Sequence, residues 1–464
     1  MENMGIISVI PIAIAIILAL ATKNTVVSLT IACIIGCFLA GKGFWGFTDL
    51  LQSALGNADF IWAALNILFF GVLVTYFERS GAIDGFSRIM NKHNLKRKGV
   101  QFMSWALGIF CFADSMSPLF VGSVMRKLSD QAKISREKLA YIADSTSAPV
   151  SVLYPFTGWS SYLTTLAVGI GCIATREQAF SLMIHAIPLN FYAILSVIMV
   201  ALISLGIVKD YGPMKKAEIR ASEEGRLLRD GAVPLSSTED TSKMENFKER
   251  VFLNFILPTI LLLVIAIGAF IFIGSVKVLE AVTIVILLMS VSFLIQGMKL
   301  KDLNKIFTDG IKGAMPALLV LAVAYPLNAL SSEMGTANYI ISVTQGFLTP
   351  AILPCGIFII CAVLSFATGT SWGTFAIAMP LALPLAFNAS GGEVNLFVTA
   401  CFAAVAGGGV FGDHCSPVSD TTIMSSMGAG SDHIDHVKTQ LPYVLTVAGI
   451  TALIYLVIGF ATVK

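Results

Sequence analysis

The chain has 464 residues, with 30 Lys+Arg against 28 Asp+Glu and a formal charge of +2. Charged residues make up 12% of it and apolar residues 56%, and the mean hydropathy is +0.83. A soluble enzyme, a disordered chain and a nucleic-acid binder are all excluded by this composition; it reads as an all-α polytopic membrane protein.

The first stretch, MENMGIISVIPIAIAIILALATKN, lacks a basic leader and a small-x-small cleavage site, so it reads as a span that is retained. Long apolar runs follow at 25–40, 59–77, 178–207, 251–274, 279–297, 313–330 and 442–461. Three further apolar regions, 99–127, 139–174 and 351–427, are interrupted by polar and small residues. At 1.5 Å of rise per residue the whole predicts about 11–14 transmembrane segments. The 8 Cys fall almost all in apolar runs, with no CxxC pair, and read as small buried hydrophobes. Between Lys209 and Arg250 lie nine basic and nine acidic residues. That stretch predicts a charged cytoplasmic linker, 208–249, between an N-terminal membrane half, 1–207, and a C-terminal half, 250–464.

Basic loops orient the spans. NKHNLKRK at 91–98 and RKLSDQAKISREK at 126–138 both read as cytoplasmic, yet a single apolar region separates them. A hairpin of two half-length helices, broken at FADSMSP (112–118), places both inside. In the second half the flanks of 351–385 carry no Lys or Arg and read as external, and the break there is FATGTSWGT (366–374). Both termini then face outward.

The breaks repeat. Residues 112–117 align with 366–371, and Ser145-Thr146-Ser147-Ala148-Pro149-Val150-Ser151 aligns with Asp413-His414-Cys415-Ser416-Pro417-Val418-Ser419. With opposed charge bias, this predicts two inverted-topology repeats with discontinuous helices and hairpins, a secondary-transporter pattern. A broken helix leaves backbone groups unpaired at membrane depth, which is tolerable where an ion, water or substrate pairs with them.

Acids at membrane depth are costly and therefore functional suspects. Asp114, with Ser115 and Ser117 beside it, reads as a Na⁺- or H⁺-carrying carboxylate, or as a helix N-cap. Asp144 and Ser147 mark the first A-P-V-S break. Asp413, His414, Ser416, Asp420, Thr421 and Thr422 form the densest polar cluster. Thr368, Thr370 and Ser371 offer oxygens to a hard cation, or back-bond to their own helix. Tyr154, Trp159, Asn328 and Trp372 are candidates to contact an organic substrate, or simply pack. Glu333, after the span containing Asn328, is a further suspect. SDHIDH at 431–436 invites a zinc reading but looks more like a loop between spans.

GDHCSPVSDTTIMSSMGAGSDHIDHVKTQLPY at 412–443 resembles the signature stretch of the NhaC-type Na⁺/H⁺ antiporters within the ion transporter superfamily. ADSMSPL and ADSTSAPVSVLYPFTGW resemble that family too, and the resemblance covers about 30–460. The family is described as cation/proton antiporters, with members that exchange malate and lactate with Na⁺ and H⁺ and others implicated in amino-acid uptake. The resemblance implies that Asp413, His414, Ser416, Pro417, Asp420, Thr421 and Thr422 line the ion or substrate path.

The expected function is therefore a Na⁺/H⁺ antiporter working by alternating access in a cell (inner) membrane. Na⁺ is expected at Asp114, Asp144 and Asp413, with H⁺ competing for one of these carboxylates. The alternative is a Na⁺- or H⁺-coupled carrier of a small organic solute. No membrane-depth Arg stands out as a carboxylate clamp, which tilts that alternative away from dicarboxylates. A channel and an enzyme fit worse: the breaks are paired, and adjacent residues such as Asp413, His414 and Ser416 rarely converge as a triad. No cofactor is expected beyond the transported or coupling ions.

Overall fold

The computed structural model describes residues 4–22, 24–91, 96–110, 117–155, 157–235, 247, 249–273, 277–336, 339, 342–343 and 349–462. They are almost wholly helical, as an apolar surrounding demands: a helix pairs its backbone groups within its own segment. Extended pairing among the described residues is limited to an isolated bridge between Pro234 and Asp432.

The first half comprises α1 (Ile10–Thr22), α2 (Thr25–Leu39), α3 (Gly46–Leu55), α4 (Ala58–Arg79), α5 (Ala82–Asn91), α6 (Arg97–Phe110), α7 (Ser117–Gln131), α8 (Arg136–Ser145), the single turn α9 (Ala148–Ser151), α10 (Gly158–Ala167), α11 (Arg176–Ala186) and α12 (Phe191–Ser204). After α13 (Gly212–Glu223) come α14 (Leu257–Ile273), α15 (Val278–Ile295), α16 (Leu300–Glu333), α17 (Leu353–Thr368), α18 (Ser371–Ala389), α19 (Leu396–Asp413), α20 (Asp420–Ala429) and α21 (His433–Thr462).

Six of the described helices are long and apolar enough to cross a membrane, or eight if each of two bent pairs is one span, and three more are apolar but shorter. The protein is a multi-pass membrane protein. Helices α6 to α10 are each too short to meet that length. Phe272, Ile295 and Leu453 are 88%, 81% and 63% exposed, as side chains facing lipid would be.

Among the described residues two large apolar cores form, beside a smaller cluster around Tyr141, Met214 and Tyr443, and each of the two draws on both halves. One joins Leu29 of α2, Phe70 of α4 and Phe120 of α7 with Val282 of α15, Leu321 of α16 and Met424 of α20. The other joins Leu163 of α10 and Tyr192 of α12 with Phe358 of α17, Phe375 of α18, Phe402 of α19 and Val447 of α21. Helix α19 lies deepest, with 94% of its length buried inside the protein.

The halves run in opposite directions. At the start of α8, Arg136 Nη1 donates to the carbonyls of Ala429 (3.3 Å) and Gly430 (3.2 Å) at the end of α20. At its other end, Ser145 Oγ lies 2.9 Å from Nε2 of His414, the C-cap of α19. Helices α8 and α19 thus enter from opposite sides and stop tip to tip. Helices α7 and α20 run side by side back to the start of α8: a Cβ on Gly122 would sit 2.6 Å from the backbone at Gly428 and Ala429, so only glycine permits this approach. In the inverted copy α10 and α18 run together the other way. Trp159 and Trp372 at their starts have ring centroids 5.9 Å apart, and Phe387 near the end of α18 packs on Gly171 beyond α10.

Residues 210–235 are docked on the starts of α8 and α21. Arg220 Nη2 reaches both oxygens of Glu137 at 2.8 and 2.9 Å. Glu218 accepts from Arg97 (2.6 Å) and from the N–H of Ser135 (2.9 Å). Arg229 Nε donates to Asp435 at 2.6 Å, and Asp210 pairs with Lys138. Glu137 and Lys138 are fully buried, so the linker supplies their counter-charges. Replacing Arg220 with Leu strands a buried carboxylate, and the expected cost is about 3–5 kcal/mol. Thermal melting in detergent should show it, and the Glu137→Gln/Arg220→Leu double variant should recover most of the loss. A single variant that melts like the parent would show that the pair holds nothing.

Candidate functional site

Helix α19 ends where its sequence stops supporting a helix. Gly412 has no room for a side chain, because a Cβ there would lie 1.9 Å from the Phe366 nitrogen, and Pro417 has no N–H to give. Residues 414–419 turn, and α20 restarts at Asp420. Ser365 ties the break to α17: its Oγ donates to Gly408 O at 2.9 Å and accepts from Gly412 N at 3.0 Å. Ser416 Oγ donates to Phe366 O at 2.7 Å.

Asp413 is the centre of this knot and is 2% exposed. Its Oδ2 accepts from Ser371 Oγ at 2.7 Å and its Oδ1 from Ser419 Oγ at 2.6 Å. Ser371 opens α18, so the hairpin break reaches the second break here. Ser419 occupies the N-cap position of α20 but makes no capping bond with its side chain; its hydroxyl serves Asp413 instead. The Asp413 carbonyl, at the end of a helix, accepts from Thr422 Oγ1 (2.9 Å) and Thr421 Oγ1 (3.2 Å).

The first-half break is built from α8, α9 and α6. Asp144 in the last turn of α8 is fully buried. Its Oδ2 accepts from Gln440 Nε2 at 3.2 Å. Its Oδ1 has no hydrogen-bond partner, and neither has the buried hydroxyl of Ser147 or of Ser117. Thr146 donates back to Ile142 O at 2.8 Å, and Gly108 of α6 makes space for it.

Two acids therefore lie in the last turns of α8 and α19, helices that enter from opposite sides and meet. A helix C-terminus carries about half a negative charge, so each carboxylate is added to an already negative end. The groups hydrogen-bonded to them, Gln440, Ser371 and Ser419, are neutral, and the imidazole Nε2 of His436 lies 3.6 Å from Asp144 Oδ2. Such a pair of ends is an arrangement for a positive charge. Asp420 differs. It stands in the first turn of α20, where an acid is favourable, accepts from Thr421 N at 2.9 Å and is only partly buried.

The remaining expectations divide. Asp114 and Ser115 lie outside the described residues, as does the side chain of Asn328. Thr368 back-bonds to Leu364 O at 2.8 Å, and Thr370 caps α18, so both take their structural roles. His414 braces rather than hangs free: Nε2 faces Ser145, and Nδ1 lies 2.9 Å from Tyr192 OH. Trp159 is buried against Trp372, while Tyr154 OH donates to Ile109 O at 3.3 Å. Glu333 is not at depth; it pairs with Lys42 at 2.6 Å and is half exposed. SDHIDH is not a loop. His433, Asp435 and His436 open α21 and are buried, and no cluster of three metal-holding side chains occurs among the described residues. Ser419, Tyr192 and Gln440 were not singled out from sequence. Ser419 had a signal in its alignment with Ser151, and Gln440 only in falling within the stretch 412–443.

Inverted halves, paired helix breaks and buried acids at converging helix ends define a secondary active transporter. The chain belongs to the Na⁺/H⁺ antiporter family, whose sequence pattern matches residues 150–460. It is 32% identical to an uncharacterized protein of Haemophilus influenzae over 98% of this chain and 91% of that one. It is also 32% identical to a malate-2H⁺/Na⁺-lactate antiporter of Bacillus subtilis, over 35% of this chain and 34% of that one. A third relative, an uncharacterized Na⁺/H⁺ antiporter of Haemophilus influenzae, is 33% identical over 34% and 33% of the two chains. The family and the two relatives named as antiporters are transporters, so the protein is a transporter and not an enzyme.

Gly412→Ala tests the knot, since backbone cannot retreat from the added methyl. We expect a loss of about 3 kcal/mol and no transport, read by melting temperature and flux; Gly449→Ala, at a position with open space around it, should change neither.

Proposed function

We propose that the protein exchanges Na⁺ for H⁺ across the cell membrane, by alternating access between its inverted halves. The observation that carries this reading is the meeting of α8 and α19 with Asp144 and Asp413 in their last turns. Sodium is a hard cation that takes oxygen ligands. Asp413 offers its carboxylate, and Ser371, Ser419, Thr421 and Thr422 offer hydroxyl lone pairs once those groups turn from donating to accepting. Asp144 brings a second carboxylate with one oxygen unengaged, and Asp114 falls in the stretch 112–117 whose sequence aligns with 366–371. Asp420 is a further candidate at the rim.

A proton and a sodium ion both neutralise a carboxylate, and one oxygen pair does not hold both. Whichever ion occupies the site removes one of its negative charges, which makes the loaded halves freer to rock. Exchange follows, because the empty, doubly negative site is the state least suited to cross an apolar barrier.

A second reading is a coupled exchanger of a small organic solute. It is favoured by the stacking corner of Trp159, Tyr162 and Trp372 at the starts of α10 and α18, one residue from Ser371, and by the name of the Bacillus relative.

Proteoliposomes with an internal pH dye and an imposed Na⁺ gradient separate the two. Sodium-dependent proton flux without organic solute is expected, and Asp413→Asn should abolish it while the protein stays monodisperse. Ser371→Ala and Ser419→Ala should each raise the half-saturating Na⁺ about fivefold, near 1 kcal/mol per hydrogen bond. Full flux in Asp413→Asn would remove that residue from the path. A silent wild type would favour the organic solute, to be sought with amino acids and small carboxylates in the same vesicles.

A further inference from the structure

The first two turns of α21 hold three buried polar side chains that the exchange mechanism above leaves unused. His433 and His436 are 2% and 0% exposed and Gln440 is 0% exposed. His433 Nε2 donates to Pro417 O at 2.8 Å, inside the second break. Its Nδ1 lies 3.0 Å from Ser426 Oγ of α20, and His436 Nδ1 lies 2.9 Å from the same oxygen. His436 Nε2 lies 3.0 Å from Gln440 Oε1.

Gln440 closes this chain on both carboxylate-bearing helices. Its Nε2 donates to Asp144 Oδ2 at 3.2 Å and to His414 O at 2.8 Å. The first belongs to α8 of one half; the second is the carbonyl that follows Asp413 in the other. A flipped amide would set its oxygen against two oxygens that can only accept when Asp144 is ionised, so the orientation follows from the partners. Both N–H groups and the carbonyl are then used. Engaging Oδ2 also decides that Oδ1 is the oxygen of Asp144 left without a partner.

We propose that Gln440 is the positioning residue that couples the two breaks, so that Asp144 and the end of α19 move as one body and a change of occupant at one is felt at the other. His436 fixes the amide, and His433 anchors the same helix to Pro417. The proposal rests on the exchange reading above, since coupling has meaning only if the two carboxylates serve one cycle.

The test uses full-length protein in the same pH-dye vesicles and compares Gln440→Leu and the near-isosteric Gln440→Glu with the parent and Asp413→Asn. With Gln440→Leu, half-saturating Na⁺ should rise roughly tenfold or more, as expected for a lost hydrogen bond to a charged group. Protons should also leak without Na⁺, running back down the gradient that exchange builds, so the net number of protons driven per sodium, and with it the measured ratio, falls. A residue that only supports the fold would lower the maximal rate in proportion to folded protein and leave that ratio unchanged. Gln440→Glu keeps size and packing and should still lose tight coupling, because a carboxyl group has at most one hydrogen to give where the amide donates to both Asp144 and His414 O. Parent-like half-saturation and ratio in folded Gln440→Glu overturn the proposal while Asp413→Asn still supports the exchange reading. A parent without sodium-driven flux overturns the exchange reading, and this proposal with it.

Discussion

A carboxylate in the last turn of a helix stands at the negative end of that helix's dipole, and inside an apolar bundle it does so with little water to share the load. Asp144 and Asp413 are placed in this way on helices that approach from opposite sides. Much of the surrounding structure answers that cost. Ser371 and Ser419 are turned to Asp413, and Ser419 gives up capping its own helix to do so. Gln440 is drawn to Asp144, and Thr421 and Thr422 to the carbonyl of Asp413. These neutral donors ease the burial without cancelling the charge. Residual unfavourable charge of this kind gives a passing cation its affinity, since a site fully neutralised by a fixed Arg or Lys would have no need of one.

Helices can stop at such a place only if neighbours approach closely enough to use the freed backbone. Glycine makes the approach. Gly412 rests against Phe366 and Gly408 against the Phe358 carbonyl, while in the other half Gly108 receives Thr146. The same device joins α7 to α20 at Gly122 and Gly428. The breaks are thus interlocked pieces of several helices, and a shift in one must be answered by the others. That is the mechanical property an alternating mechanism needs, because packed interfaces rearrange between discrete states more readily than they deform.

Much of this was legible in the sequence where the signal was local. Repeated small and polar stretches inside apolar runs marked both breaks, and the repeated A/S-P-V-S motif located Asp144 and Asp413. Basic loops at 91–98 and 126–138 were enough to suggest opposed hairpins. What was not legible depends on partners far apart along the chain. Thr368 and Ser371 look alike as hydroxyls, yet one bonds to its own helix and the other to Asp413, 42 residues away. His433 and His436 read as loop residues because Gly428, Gly430 and Lys438 flank them; burial of α21 against α20 reverses that reading. The charged stretch after Lys209 has the composition of a tether, and nothing local in it shows that Arg220 meets Glu137 83 residues earlier.

That docked stretch bears on how the halves can move. Its contacts fall on Ser135, Glu137 and Lys138 at the start of α8 and on Asp432 and Asp435 beside the start of α21. These are the outer handles of the two helices that carry Asp144 and Gln440. Opening a path to the site from this side must separate the start of α8, the end of α20 and the start of α21, and the ion pairs lie across that route. Each pair is buried enough that losing it without replacement is costly, yet water admitted by the opening would solvate the freed charges and lower that cost. A barrier of this kind is high while the site is dry and falls as it wets, so the linker resists partial opening more than complete opening. On the other side, the junction of α11 with α19 is met by a cavity lined by Gln178, His185 and Asn395, with no ion pair recorded among its lining residues. The two halves repeat one architecture, but the linker's ion pairs lie on one face of it, and the two directions of opening are therefore energetically distinct.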